Sequence, residues 1–198
     1  SAFNFVQRDM NIDGGRSGGF NMAFGDLNND RRLDIVVPAS AALGREIAWL
    51  EQPAALSRPW RYHLLGSTAP DNTVGVCMAD INGDGLLDVM TGSYSRGSRD
   101  KDDADSINKP LGRLARFEQP SIVTKPWVRH DISRRIRGMF DKFVAQDMDG
   151  DGDIDFVGTR GNRAPYDGVF GLEQVRTKEP APAFTRARDE DSAEVPLP

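Results

Sequence analysis

Three segments of this chain align with one another: FGDLNNDRRLDIVVPAS from Phe24, MADINGDGLLDVMTGS from Met78 and AQDMDGDGDIDFVGTR from Ala145. In each, side chains that carry oxygen alternate along a short run, and apolar residues flank the run. Self-similarity of this kind means that the chain builds one unit several times, so the fold must be one that repeats. The leading acids are Asp26, Asp80 and Asp147, which gives periods of 54 (80 − 26) and 67 (147 − 80) residues.

The repeat extends beyond the acidic runs. IAWLEQP from Ile47, LARFEQP from Leu114 and VFGLEQ from Val169 align as a third strand of each unit. Pro59-Trp60-Arg61-Tyr62-His63 matches Pro126-Trp127-Val128-Arg129-His130 as a fourth. A unit of four short strands with generous loops has the length of one β-propeller blade. The sequence therefore predicts an all-β chain of four-stranded antiparallel blades, with three repeats visible. The expected boundaries are an outer strand of a preceding blade at 1–11, blades at 12–70, 71–137 and 138–188, and a C-terminal tail at 189–198. Phe5-Val6-Gln7-Arg8-Asp9 reads as that leftover outer strand, and Phe184–Arg188 as its counterpart in the last unit. Propellers close with about four to eight blades, so the missing neighbours are expected to be further blades or further copies of the chain.

The acidic runs have the chemistry of a loop that wraps a hard cation. Calcium takes six to eight oxygens, and a short loop can offer side chains at positions 1, 3, 5 and 9 with a carbonyl at 7. The third run supplies Asp147, Asp149, Asp151, Asp155 and the carbonyl of Asp153. The second supplies Asp80, Asn82, Asp84, Asp88 and the carbonyl of Leu86, and the first Asp26, Asn28, Asp30, Asp34 and the carbonyl of Arg32. Position 6 turns sharply and favours glycine. It is Gly85 and Gly152 in the later runs but Arg31 in the first, so up to three calcium ions are expected, with the first site weakest. An EF-hand would end in a glutamate at position 12 on a helix. Here strand residues follow position 9, as in Ile35-Val36-Val37, and the loop joins two strands.

With these features in view, the segments resemble FG-GAP or VCBS repeats, found in integrin α-subunit propellers and in many exported bacterial proteins. Phe24-Gly25 and Val37-Pro38-Ala39 stand where that family has its FG and GAP elements, while Met78-Ala79 and Gln146 replace FG in the later repeats. The resemblance implies a calcium-stabilised propeller in a secreted, periplasmic or cell-surface protein. It is poor for function, because such propellers serve adhesion modules, lectins, lyases and dehydratases alike.

The blade topology puts the calcium loops on one face and the ligand-binding loops on the other. The opposite face carries many arginines, and the short loop RGNRAPYDG offers Arg160, Asn162, Tyr166 and Asp167 as the best ligand-binding candidates. Arginines there suit an anionic glycan through bidentate contacts, with Tyr166 stacking on a sugar. A protein partner is the other expected ligand. The favoured function is a noncatalytic binding or scaffolding module, and the alternative is part of a carbohydrate lyase or sugar dehydratase.

The remaining composition narrows the field. His63, His130 and Cys77 leave little ordinary acid–base machinery, and no nucleophile elbow, phosphate loop or zinc spacing occurs. The net charge of −5, which three divalent ions would turn into +1 (−5 + 6), and the absence of a basic stripe argue against nucleic acid. No run is long and apolar enough for a membrane span.

Overall fold

The computed structural model describes residues 3–14, 18, 20–39, 45–69, 72–94, 114–133, 139–161 and 168–176. Among these, the chain is all-β with no helix, and its twelve strands form three sheets. The first sheet holds β2 (Ala23–Gly25), β3 (Asp34–Ala39), β4 (Glu46–Glu51) and β5 (Trp60–Ser67), with β1 (Ile12–Asp13) on its outer edge. The second is β6 (Asn72–Ala79), β7 (Asp88–Tyr94), β8 (Leu114–Glu118) and β9 (Val128–Ser133). The third is β10 (Met139–Gln146), β11 (Asp155–Gly161) and β12 (Gly168–Leu172). From β2 onward every pairing is antiparallel between strands adjacent in sequence, so each sheet is a meander. The described residues do not close into a barrel or a ring.

The repetition reaches down to irregularities. A register shift falls at Ile47/Ala48 in β4 and at the matching Leu114/Ala115 in β8. Another falls at Thr73/Gly75 in β6 and at the matching Phe140/Lys142 in β10. Bulges bend and twist a strand, so equivalent bends give the sheets matching curvature and let them stack.

Two cores lie between the sheets. Leu27, Val36, Ile47, Trp49 and Leu65 of the first sheet pack against Val76, Val89, Ala115, Phe117 and Trp127 of the second. Ile81, Met90 and Leu114 of the second then pack against Phe143, Phe156 and Phe170 of the third. The positions correspond: Val36 pairs with Trp49 as Met90 pairs with Arg116, and each row faces the next sheet. A third cluster, Ile35, Val37, Leu50 and Trp60, fills the outer face of the first sheet with Ile12 and Tyr62 against it. Strand β3 has a core on both faces, so all six of its residues are buried. Trp49, Trp60 and Trp127 are core residues, and Trp49 stacks on His63 with ring centroids 4.2 Å apart.

The N-terminal segment departs from the expectation. Phe5–Asp9 forms no strand, and its Phe5 and Val6 side chains lie in solvent. The free edge of β5 is met instead by β1, running parallel, and Asn11 O accepts from Trp60 N at 2.8 Å. A sheet edge pairs its backbone groups with whatever chain passes it, and among the described residues that chain is β1. Phe184–Arg188 lies outside the described residues.

Candidate metal centre

Each acidic run is the turn between the first and second antiparallel strand of its sheet: residues 26–33 join β2 to β3, 80–87 join β6 to β7, and 147–154 join β10 to β11. Their internal bonding is shared. The position-1 aspartate gathers amides from across the turn: Asp26 those of Asp30 (3.0 Å) and Arg31 (2.7 Å), Asp80 those of Gly83 (2.8 Å) and Gly85 (2.9 Å), Asp147 those of Gly150 (2.7 Å) and Gly152 (3.1 Å). Asn28, Asn82 and Asp149 at position 3 each accept from the amide at position 5, at 3.1 Å in all three loops. Position 5 accepts from position 7 at 2.8–3.1 Å.

This winding puts positions 4 and 6 in the left-handed region. Gly83, Gly85, Gly150 and Gly152 have φ of 78°, 86°, 84° and 93°, while the first loop makes the same bends with Asn29 at 59° and Arg31 at 66°. Only glycine takes these angles without a Cβ clash. The spacing of acids and glycines is one instruction: the glycines let the backbone coil, and the coil turns alternate carboxylates inward.

Position 9 carries a further set of contacts. Asp34, Asp88 and Asp155 are buried at the first residue of the second strand. Asp34 accepts from the amides of Leu27 (3.1 Å) and Gln52 (2.9 Å), and Asp155 from those of Met148 (2.9 Å) and Gln174 (2.8 Å). Asp88 accepts from the amide of Gln119 (2.9 Å) and pairs with Arg116 (3.3 Å). These aspartates tie the loop to the end of the third strand, where the repeated Glu-Gln dipeptide supplies the amide. The roles of Gln52, Gln119, Gln174 and Arg116 were missed from the sequence, although the threefold Glu-Gln was visible there.

Burial dominates the electrostatics. It pushes the Asp34 carboxyl up to about 6, against the two amides that favour its charged form. Asp88 is raised by burial too, partly offset by Gln119 N–H and Arg116. Asp153 is raised by burial and by the neighbouring Asp151 carboxylate. Asp88 has the Arg116 guanidinium and Asp153 the Arg176 guanidinium as partial counter-charges, whereas no basic group offsets the rise at Asp34.

The three loops do not fit a metal equally well. Ligand oxygens of Asp147, Asp149 and Asp151 lie within 4.8 Å of one another, the one such carboxylate trio among the described residues. Beside them Asp153 Oδ1 is buried with no hydrogen-bond partner, and its Oδ2 has Arg176 only at 3.5 Å. Converging carboxylates and an orphaned oxygen fit a divalent ion in the third loop. The second loop has two carboxylates and an amide in the corresponding places, with Asn82 Nδ2 donating to Asp84 Oδ2 at 2.9 Å. In the first loop the Arg32 guanidinium lies on Asp30, and its Nε donates to Gln52 O at 3.0 Å.

The ligand-face candidates fare differently. Arg160 lies in β11, its backbone paired with Phe140 and Gly168. Asn162, Tyr166 and Asp167 lie outside the described residues. His63 and His130 take equivalent structural roles, each bonded through Nε2 to the glutamate of the adjacent third strand, Glu51 at 2.8 Å and Glu118 at 2.6 Å. Cys77 is half-buried beside the second core, and burial pushes its thiol up. Among the described residues no helix is long and apolar enough to cross a membrane. Compared with family models, curated proteins and solved structures, the chain matches none of them.

Proposed function

We propose that this chain is part of a calcium-stabilised β-propeller of the FG-GAP/VCBS kind, which serves as an exported binding or scaffolding module. The observation that carries the reading is the third loop, where three carboxylates converge within 4.8 Å beside a buried, unpartnered Asp153 oxygen. Support comes from the same hydrogen-bonded turn recurring between the first two strands of all three sheets. A divalent ion there would be met by the three converging carboxylates and would offset the Asp153 carboxyl, which burial and the neighbouring Asp151 raise. Its contribution is to rigidity. Loops of this kind fill where calcium is plentiful, which argues for a secreted, periplasmic or surface location. The ligand, an anionic glycan or a protein, is assigned to the end of the sheets opposite the acidic turns, on the arginine content of that end.

The test is thermal unfolding in chelator and in millimolar calcium. Saturating a site a hundredfold above its Kd adds about 2.7 kcal/mol, or roughly 5–10 °C for a chain of this size. Asp147→Ala is expected to remove most of that increment and Asp26→Ala far less. A melting temperature indifferent to calcium would sink the proposal.

A further inference from the structure

We infer that the first loop is a metal-free version of the other two, in which the Arg32 guanidinium takes the cation's place, so that the chain binds two calcium ions. The inference rests on the calcium reading above and changes its count.

The loops form a charge series. Residues 147–155 hold five aspartates and no basic residue, a formal −5; residues 80–88 hold three aspartates, −3. Residues 26–34 hold three aspartates with Arg31 and Arg32, −3 + 2 = −1. Calcium affinity in such loops is tuned by ligand charge. Position 7, which is Asp153, Leu86 and Arg32 in the three loops, supplies half of the series; Asp149 at position 3 and Arg31 at position 6 supply the rest.

Geometry places the Arg32 charge where it matters. Its Nη2 bonds Asp30 Oδ2, the position-5 carboxylate, and Asn28 Nδ2 donates to that same oxygen at 2.9 Å. Arg32 Nε is fixed by Gln52 O, and the Gln52 amide in turn holds Asp34. One side chain therefore joins positions 5, 7 and 9 with the end of β4, the connection a bound ion makes through its ligands. A divalent ion entering this loop would have to expel the guanidinium from Asp30 and from the Gln52 carbonyl together. Two like charges cannot share one carboxylate without strong repulsion. The turn nonetheless keeps its shape, with Asn29 and Arg31 held at positive φ where the other loops have glycine. Within this coil Arg32 supplies an internal counter-charge, which the other two loops have no basic residue to provide.

The experiment counts ions on the whole chain by native mass spectrometry and calorimetric titration with calcium chloride. Wild type is expected to take two ions, Asp80→Ala and Asp147→Ala one each, and Arg32→Leu three, because leucine is the residue the second loop has at that position. Arg32→Lys keeps a cation and is expected to stay at two. In chelator, Arg32→Leu should melt below wild type, and calcium should raise its melting temperature by more than that of wild type. Three ions on wild type, or two on a folded Arg32→Leu, would overturn the inference while leaving the calcium reading intact. No ions on any variant would defeat the calcium reading and this count with it.

Discussion

The position-9 aspartates offer a quantitative test that needs no metal. In Asp34→Ala the buried amide of Leu27 and the half-buried amide of Gln52 lose the acceptor they have at 3.1 and 2.9 Å in the native protein. A buried donor left without a partner costs about 1–3 kcal/mol, so two cost roughly 2–6 kcal/mol. Part of this is returned, because the carboxylate removed is itself unfavourable when charged: burial moves it from 3.8 to about 6. That return is about 3 kcal/mol at pH 7, so the net expectation is a loss of up to about 3 kcal/mol, or up to roughly 12 °C in melting temperature. The sign of the pH dependence follows from the same shift. The folded state holds this proton more tightly than the unfolded chain, so the group favours folding below pH 3.8 and that contribution is lost as pH rises through about 6. The assay is urea unfolding in chelator between pH 4 and 8, comparing wild type with Asp34→Ala and Asp34→Asn. Relative to Asp34→Asn, wild type should lose stability across that window. Parallel pH profiles for wild type and Asp34→Asn would refute the burial-raised carboxyl, and an Asp34→Ala no less stable than Asp34→Asn at pH 7 would refute the idea that this side chain ties the loop to β4.

Other substitutions probe the stacking and the turns. Ile81 is buried against the third sheet, whereas Met148, at the same loop position, is 59 % exposed; Ile81→Ala should cost about 2–4 kcal/mol and Met148→Ala less than about 0.5, measured by urea unfolding. A Cβ added at Gly66 overlaps the Phe117 ring between the first two sheets, so Gly66→Ala should cost about 1–3 kcal/mol, and an unchanged melting temperature would show that the ring has room to move. Arg31 pays the left-handed penalty at φ 66°, so Arg31→Gly should raise stability in chelator by about 0.5–1 kcal/mol after glycine's entropic cost; a destabilised variant would mean that the arginine contributes more than its backbone strain.

Much of the molecule was legible because its information is local. Nine residues contain the loop: acids two apart, glycine at position 6 in two of the three runs and an apolar strand to follow are read without knowing what lies elsewhere. The third and fourth strands showed themselves by repetition, and the structure has β4, β8 and β12 where the Glu-Gln segments stand. What the sequence withheld depends on partners far along the chain. The position-9 aspartates meet amides 18, 31 and 19 residues away, and no spacing rule reaches that far. Leu27, Ile81 and Met148 share one position of the motif, yet the first two are buried and the third is not, because burial depends on whether another sheet stands on that side. Phe5–Asp9 has the pattern of an outer strand and pairs with none of the described sheets, because a strand forms only where an edge accepts its hydrogen bonds. Arg32 looked like a mere carbonyl donor in the sequence, and only the folded loop brought its guanidinium onto Asp30 and Gln52. The sequence determined which turns and strands form, through local backbone geometry and repetition; the tertiary structure decided which faces are covered and which charges are met, because those depend on neighbours that only folding brings together.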